Sequence, residues 1–549
     1  MQDYILTLIP LLAPVLLLCY SLFAISGKRK VARAEAFGLA GILISGVSAW
    51  VVLEFGTLQS PLLGWAGLGL SIRLDALSIT MLSMISLLGF AILKFSANYL
   101  DGDARKGVFF SRLACTIASV ELLVLSGNLL QILIFWIITS VCLHYLLVFY
   151  RSRPQAIAAA RKKFMVARIG DLSLIGAITL IYQSIGTGDI DQLFIAVQNA
   201  GALDSYMLWA SILLVIAAVL KSAQFPTHGW LIEVVETPTP VSALLHAGLL
   251  NAGPFLMVRF SHLMAESVSG SLMLIVIGGF TALFASVVYL TQPSVKVALG
   301  YSSVAHMGFS LLICGFGVYS AAILHVVAHS FYKAHSFLSS GSAVDVVRAR
   351  KIKLTMKTPS FIRILVSVST VLAIYILFCY LWGIEPSKDF SLMMTGAVIV
   401  MGLSQMMVTA WSTQGSRWSF LLSGTMAFVV ALSFFMLESG ARALLTSQLP
   451  QDQVPDVAIK LASVIVIVSY MIIVLIQVTA QGKKQSTLGY KLGVHLRNGL
   501  YVNVIFDRMI GSLKNEKFKW ANLTVQEELD GKRDMEQTLI RKPEVALNN

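Results

Sequence analysis

Residues 205–230 read SYMLWASILLVIAAVLKSAQFPTHGW, an apolar run that ends in a lysine and is soon followed by a proline. Proline has no backbone N–H and its ring clashes with the preceding turn, so we expect the helix to break near Pro226. In a bilayer, the carbonyl groups freed by such a break must be satisfied by neighbours, water or an ion. The stretch therefore predicts a membrane helix that ends beside Lys221 and lines a cavity.

Apolar runs of similar length recur along most of the chain. Its 549 residues are 57% hydrophobic and 13% charged, whereas soluble domains are usually about 25% charged. A spanning helix needs roughly 20 apolar residues. The runs that read this way are 4–23, 35–54, 75–95, 108–126, 128–149, 164–184, 204–222, 239–261, 270–292, 296–316, 318–340, 359–382, 389–411, 416–437 and 456–479. We therefore predict an all-α, polytopic membrane protein of about 13–15 transmembrane helices, whose first run is a helix and not a cleaved signal.

The net charge of +13 comes largely from basic clusters on alternate loops. These clusters follow the first, third, fifth, eleventh and fifteenth runs, at residues 28–33, 105–106, 151–163, 348–353 and 483–484. The loops between them are acidic or neutral. This is the positive-inside pattern, which predicts an external N-terminus and a cytoplasmic C-terminus. The placement of the charge argues against nucleic-acid binding.

We expect two parts in the chain: a transmembrane domain over residues 1–480 and a cytoplasmic tail over residues 481–549. Residues 492–513 have the pattern of an amphipathic helix, which could lie on the membrane, bind a partner or simply pack as an ordinary helix. The charged end of the tail has few aromatic residues, which is typical of disorder.

Ionisable residues inside the predicted spans form a series. Such groups cost about 2.5–3.5 kcal/mol each in the bilayer core and usually mark pathways. His325, His329 and Lys333 are four residues apart, so they share one face of a helix. The other members of the series are Lys221, His246 and His306. A histidine can take a proton on one ring nitrogen and release it from the other, so the series predicts a proton relay.

Two carboxylates are candidate members of the same pathway, each with a structural alternative. Asp171 follows Arg168 by one turn, and the two could form either part of the pathway or a fixed ion pair that braces the helix. Glu121 lies inside the fourth run and is either a pathway residue or an acid at the membrane interface.

Cysteines and catalytic motifs add no further site. The five cysteines lie in apolar runs without paired spacing, which is typical of small buried hydrophobes; they are Cys19, Cys115, Cys142, Cys314 and Cys379. The chain has no phosphate loop, nucleophile elbow or Cys/His ligand set. We therefore expect a transport subunit without catalytic residues, cofactor or metal of its own.

Three stretches resemble the antiporter-like subunits of respiratory complex I and of Mrp sodium/proton antiporters. They are Lys221-Ser-Ala-Gln-Phe-Pro-Thr-His-Gly-Trp230 with the following 237–247, then Lys296-Val-Ala-Leu-Gly-Tyr-Ser-Ser-Val-Ala-His306-Met-Gly, and residues 324–342. Arg168-Ile-Gly-Asp171 and the basic loop 151–163 also match, so the resemblance covers about residues 70–345. It implies a proton channel built on Lys221, His246, His325, His329 and Lys333, with Arg168 and Asp171 beside the first lysine.

Two departures from the family pattern concern the ends of this channel. The family has a glutamate after the tryptophan of the fifth run, whereas Trp136 is followed here by Ile137. His144, two turns on, or Glu121 could replace that partner of Lys221. The family also has a late lysine or glutamate near the proton exit. Between Thr358 and Ile459 the only lysine is Lys388, which we place in a loop.

These losses and the polar tail resemble one branch of the family, the DabB membrane subunits of complexes that accumulate inorganic carbon. The resemblance implies a large cytoplasmic partner, DabA, a zinc protein similar to β-carbonic anhydrases. Flow of H⁺ or Na⁺ through the membrane subunit would then drive CO₂ or bicarbonate uptake, with the zinc in the partner. It also implies the inner membrane of a bacterium.

Two other functions remain open at this point. The chain could be a proton-pumping subunit of an NADH-quinone oxidoreductase or part of an Mrp-type antiporter. It could also be a structural membrane scaffold that retains an inactive channel. The first alternative is weakened by the two missing ionisable residues, and the second by the intact spacing of the histidines and lysines.

Overall fold

Apolar runs become helices throughout the part of the chain that the computed structural model describes, residues 2–24, 32–150, 153–234, 237–341, 358–414, 417–451, 454–480 and 487–510. Residues 1–500 form one compact unit, and a second begins at Tyr501. The basic clusters 28–33, 348–353 and 483–484 lie wholly or mostly outside the described residues, and so does the charged end of the tail.

The first half of the membrane unit contains α1 (Gln2–Leu8), α2 (Leu12–Ala24), α3 (Ala32–Phe55), α4 (Ala76–Tyr99), α5 (Lys106–Val124), α6 (Leu129–Leu147), α7 (Pro154–Ile185), α8 (Ile190–Asn199), α9 (Ser205–Lys221), α10 (Gly229–Glu233), α11 (Thr239–Ala247) and α12 (Ala252–Arg259). Short strands β1 (Leu58–Gln59) to β4 (Arg73–Leu74), with β2 (Leu63–Trp65) and β3 (Leu68–Leu70) between them, form two antiparallel pairs, β1–β4 and β2–β3.

The second half contains α13 (Ser261–Glu266), α14 (Val268–Tyr289), α15 (Val295–Gly315), α16 (Tyr319–Leu338), α17 (Phe361–Leu381), α18 (Phe390–Gln414), α19 (Arg417–Leu445), α20 (Val457–Ala480) and α21 (Thr487–Arg497). In the second unit, α22 spans Val502–Ile510. An α-helix occupies each of the fifteen predicted runs. Among the described residues, 13 helical segments are long and apolar enough to cross a membrane, which confirms the all-α, polytopic prediction.

The predicted break near Pro226 is confirmed. Helix α9 ends at Lys221, and helical structure resumes only at Gly229. The predicted run 239–261 is also interrupted, between α11 and α12. Pro254 has no N–H to donate to the carbonyl of Leu250, four residues earlier. That carbonyl instead accepts a hydrogen bond from Ser222 Oγ at 2.9 Å, which ties the second interruption to the end of α9.

Helices α14 and α15 pack with their backbones in close approach. A Cβ built on Gly278 would lie 2.7 Å from the carbonyl oxygen of Gly308, and one built on Gly308 would lie 2.7 Å from the backbone nitrogen of Ala282. Small residues permit such contacts between membrane helices, where van der Waals packing drives association. The close contact between Gly278 and Gly308 therefore holds α15, which carries His306, against α14.

We expect Gly278→Ala to destabilise the protein by about 1–3 kcal/mol, because the new methyl group meets backbone atoms that cannot move away independently. The measurement is the midpoint of thermal unfolding in detergent. Gly402→Ala is the matched control, since a Cβ at this position in α18 meets nothing within 4 Å. An equal loss in both variants would show that the α14–α15 contact is not the cause.

A buried ionic network joins the strands to two helices at the start of α4. Asp75 caps α4 by accepting a hydrogen bond from the Ser78 amide, and it forms ion pairs with Arg73 at 2.6 Å and with Arg259 of α12 at 2.5 Å. Burial would raise the pKa of the Asp75 carboxyl, but the two guanidinium groups outweigh burial and hold that pKa well below its usual range. Asp75 thus carries a charge that is fully paired inside the protein.

Candidate functional site

Lys221 lies at the last turn of α9, immediately before the break. Its Nζ donates a hydrogen bond to the carbonyl oxygen of Trp136 at 3.0 Å and lies 4.3 Å from the centroid of the Trp136 ring. Trp136 belongs to α6, where Ile137 occupies the position of the family glutamate. A backbone carbonyl and an aromatic face therefore contact this ammonium group where the family pattern has a carboxylate.

The carboxylate that acts on Lys221 electrostatically is Asp171 of α7. Its side chain is 6% exposed and pairs with the Arg168 guanidinium at 2.7 Å. The ion pair with Arg168 is present, and Asp171 is also near enough to Lys221 for its charge to act on the ammonium group; its place in the pathway stays a prediction. Because Asp171 is shared between Arg168 and Lys221, a change at one cation alters its attraction to the other.

Lys163 is a further cation at this place, although the sequence assigns it to the basic loop 151–163. It lies inside α7 and is 4% exposed, and its Nζ donates to both the carbonyl oxygen and Oγ of Ser140 at 2.7 Å. Lys163 and Lys221 line a small cavity of about 20 Å³ together with Trp136 and Trp230, which is room for about one water molecule. The sequence signal that could have identified Lys163 is its spacing from Asp171. Eight residues, or about two helical turns, place both side chains on one face of α7.

The two proposed replacements for the missing glutamate lie elsewhere. Glu121 of α5 is 1% exposed and accepts a hydrogen bond from Ser86 Oγ of α4 at 3.0 Å. His144 is in the last turn of α6, and its ring centroid lies 5.3 Å from that of Phe164. In the described part of the chain, neither side chain contacts Lys221 directly. His144 does lie close enough to Lys163 and Arg168 for their positive charges to act on its imidazole ring.

His246 connects α11 to the helix that carries most of the series. It is 1% exposed, and its ring stacks on Phe337 of α16 with a centroid distance of 4.2 Å. The short interruption between α11 and α12 also contacts α16, because the amide of Asn251 donates to Ser330 Oγ at 2.7 Å. No contact joins His246 to Lys221 among the described residues, but neighbouring Leu245 lines the cavity beside Lys221.

The remaining residues form a compact group at the centre of α15 and α16, which we call the histidine cluster: His306, His325 and His329. His306 Nδ1 lies 3.3 Å from His325 Nε2. The ring centroid of His329 is 4.8 Å from that of His306 and 6.0 Å from that of His325. Lys333, one turn beyond His329, is fully buried, and its Nζ donates to the carbonyl oxygen of Leu299 at 3.2 Å.

The cluster brings together ring nitrogens that can exchange protons or share an ion. One nitrogen from each of its three rings lies within 4.8 Å of the others, so the cluster could also hold a single metal ion. Both nitrogens of His329 lack a hydrogen-bond partner among the described residues. Buried polar atoms normally have a hydrogen-bond partner, so these two nitrogens are available to bind a proton, a water molecule or an ion. The expectation that this chain binds no metal stays a prediction.

Eight of these ionisable side chains thus form two groups inside the membrane unit. The first contains Lys163, Lys221, Asp171 and Arg168, and the second contains Lys333 and the histidine cluster. His246 lies on the helical segment between them. Within the second group, neighbouring side chains are close enough for a proton to pass with small movements or one intervening water molecule. The geometry suits a proton relay through the interior of the protein.

The chain matches known protein families and relatives over the segments that contain these residues. Residues 126–415 match the family described as NADH:quinone oxidoreductase/Mrp antiporter, TM, and residues 64–110 match the complex I chain 5 N-terminus. The chain is 34% identical over 484 residues to the probable inorganic carbon transporter subunit DabB2 of Halothiobacillus neapolitanus, covering 86% of each chain. It is 34% identical over 319 residues to subunit L of the Escherichia coli NADH-quinone oxidoreductase, covering 56% of this chain and 51% of that one.

The fold itself recurs in a solved structure. A chain of the Mrp complex from Dietzia sp. DQ12-45-1b superposes with a TM-score of 0.55 at 21% identity, over 98% of this chain and 61% of the other. At this level of identity the likeness concerns the arrangement of helices. It extends well beyond residues 70–345, where the motifs lie.

Proposed function

Because the chain belongs to the antiporter-like membrane subunit family of NADH:quinone oxidoreductases and Mrp antiporters, we propose that it translocates protons to energise inorganic carbon uptake. The observation that carries the proton path is the histidine cluster, with His306 and His325 nitrogens 3.3 Å apart. The inorganic carbon part is supported by the similarity to DabB2, which extends over 86% of both chains. H⁺ is favoured over Na⁺ because neutral imidazoles relay protons, whereas sodium prefers oxygen ligands.

In this mechanism, protonation in the first group, which contains Lys163 and Lys221, changes the electric field at the second group, which contains Lys333 and the histidine cluster. A proton entering beside Lys163 and Lys221 adds positive charge near Asp171, which draws the carboxylate away from Arg168. A proton leaving does the reverse. His246 passes the proton toward Lys333, and the histidine cluster carries it along α16. Each imidazole receives the proton on one nitrogen and releases it from the other.

The proposal also includes the membrane in which the chain lies and the partner protein that it binds. We place it in a bacterial inner membrane with the N-terminus outside and the tail in the cytoplasm, on the basis of the alternating basic loops. We assign it a large cytoplasmic partner that resembles DabA and binds zinc. In that arrangement the partner hydrates CO₂ or binds bicarbonate, and the proton flow through the present chain makes uptake favourable.

The decisive experiment is to purify the chain gently from its native membrane, identify the proteins that accompany it, and measure zinc in the complex. We expect a large soluble zinc-containing partner. Recovery of quinone-reductase or antiporter subunits in its place would reject the inorganic carbon assignment. The partial similarity to subunit L is the specific observation behind that second candidate.

We expect His246→Ala to lower uptake by roughly 100-fold, because a positioned proton-transfer group typically contributes about 10²–10⁴-fold. The amount of chain in the membrane should stay unchanged. His262→Ala is the matched control, since His262 of α13 packs against Phe194 at 4.4 Å, outside the relay. Wild-type uptake by a fully assembled His246→Ala variant would remove this residue from the path.

A further inference from the structure

A large cavity opens at the N-terminal end of α16, beyond the histidine cluster. Its volume is about 570 Å³, and its walls come from the start of α16, the start of α18, the last turns of α19 and the residues before α20. A second cavity of about 380 Å³ lies beside it and shares part of its lining. The polar side chains of the first cavity include Tyr319, Ser320, Asp389, Glu438, Arg442 and Asp456. We call the first cavity the vestibule.

Glu438 is the buried acid of the vestibule. It is 4% exposed, yet it lines both cavities. The predicted run 416–437 stops one residue short of it, whereas α19 continues to Leu445 and so places Glu438 inside the helix. A carboxylate buried inside a membrane protein costs free energy, and such residues usually have a function. The family pattern has a late lysine or glutamate near the proton exit, and Glu438 is a buried acid in this later part of the membrane unit.

Glu438 is bonded to the helix that carries the relay. Its Oε1 accepts a hydrogen bond from Ser320 Oγ at 2.8 Å, and α16 packs against α19. Ser320 precedes His325 by five residues, which is roughly 7.5 Å along a helix axis. It also lies about 140° around the axis from His325, so a chain of two or more water molecules has to connect the two side chains. Lys333, His329 and His325 share one face of α16, and Ser320 lies nearer the end of the helix that meets Glu438.

Two other carboxylates that line the vestibule, Asp389 and Asp456, accept hydrogen bonds from backbone amides. Asp389 accepts a hydrogen bond from the Glu385 amide at 3.0 Å. Asp456 precedes α20 and accepts one from the Ala458 amide at 2.8 Å. Both are more exposed than Glu438. The hydroxyl of Tyr319 is buried and has no hydrogen-bond partner among the described residues, so it offers a further polar atom at the inner end of the vestibule.

We propose that Glu438 is the terminal proton carrier at the outer mouth of the path and that the vestibule connects it to water. This inference rests on the proposed function. A proton released from His325 passes through water and the Ser320 hydroxyl, which both donates and accepts hydrogen bonds, to a Glu438 oxygen. Glu438 then releases it to water in the vestibule. The path also runs in reverse, so either transport direction uses the same residue.

The test measures proton flux in sealed membrane vesicles that contain the full chain with its partner. We expect Glu438→Gln to lower flux by roughly 100-fold, the scale for losing a positioned proton-transfer group, and Glu438→Asp to retain more flux than Glu438→Gln. Glu54→Gln is the matched control, because Glu54 is an exposed acid at the end of α3. Lys333→Ala, tested in parallel, reports on the relay itself.

The outcomes separate this inference from the proposed function. If Glu438→Gln carries wild-type flux while Lys333→Ala does not, the relay stands and Glu438 is not its terminal carrier. If the wild-type chain conducts no protons, the proposed function fails and this inference fails with it.

A second variant covers the case in which Glu438→Gln does not assemble. Thr446 lines both cavities, so Thr446→Cys places a thiol in the vestibule without altering the relay. We expect a membrane-impermeant, positively charged thiol reagent to block flux only when it is added on the outer side. The wild-type chain with its native cysteines is the control. Unchanged flux after complete modification would overturn the proposal.

Discussion

Lys221→Ala should abolish proton-coupled uptake, with a loss of roughly 100-fold or more, since a positioned proton-transfer group contributes at least about that factor. Lys221 lines the cavity beside α6, and the negative charge of Asp171 attracts its ammonium group. Alanine removes the ammonium group and its contact with the Trp136 carbonyl. Among the described residues, Arg168 and Lys163 are then the cations whose charges still act on Asp171, and the coupling between the two groups of the relay is lost.

The measurement is uptake by intact cells together with the amount of chain that assembles with its partner. Lys106→Ala is the control, because Lys106 forms a surface ion pair with Asp101 at 3.3 Å, away from the relay. A Lys221→Ala variant that assembles and transports normally would reject the proposed path. One that assembles but does not transport would reject the idea that the chain is only a scaffold.

Asp75→Asn is the substitution with the largest expected effect on stability. Asparagine still caps a helix well, so the cap of α4 is kept while the negative charge is removed. Arg73 and Arg259, which are 3% and 2% exposed, then lose the charge that pairs with both of them. Removing one partner of a buried ion pair typically costs about 3–5 kcal/mol, and we expect a loss of that size.

The midpoint of thermal unfolding in detergent checks this expectation. Asp101→Asn removes an exposed acid and should change stability by less than about 0.5 kcal/mol. The stability that Asp75 contributes also depends on pH. Because its pKa in the folded protein is lowered, the contribution is fully present above the ordinary aspartate pKa and is lost as pH falls toward the folded value. An Asp75→Asn protein as stable as the wild type at neutral pH would show that the network is not needed.

Helix positions could be predicted well because they depend on local hydropathy. Fifteen apolar runs became helices, and the break near Pro226 follows from the chemistry of proline alone. The shared face of His325, His329 and Lys333 is likewise local, since it needs only the helical repeat. None of these inferences requires knowledge of which helices are neighbours.

Contacts between distant segments could not be predicted in the same way. The nitrogen contact of His306 with His325 joins two helices, and the bond of Glu438 to Ser320 joins residues 118 positions apart. Helix ends were a second source of error. Both α7 and α19 extend past their apolar runs. Lys163, which the sequence places in the basic loop 151–163, and Glu438, one residue beyond the run 416–437, therefore lie within helices. Hydropathy marks the apolar part of a span and underestimates helices with polar ends.

The length of α7 has a mechanical consequence. Its 32 residues extend about 48 Å at 1.5 Å per residue, whereas the hydrocarbon core of a bilayer is about 30 Å thick. One continuous helix therefore carries both Lys162, which pairs with Glu233 at 2.5 Å, and Asp171. A tilt of α7 would displace the Asp171 carboxylate from Lys221. Such a tilt would change the electric field at the lysine without any partner residue entering the bilayer.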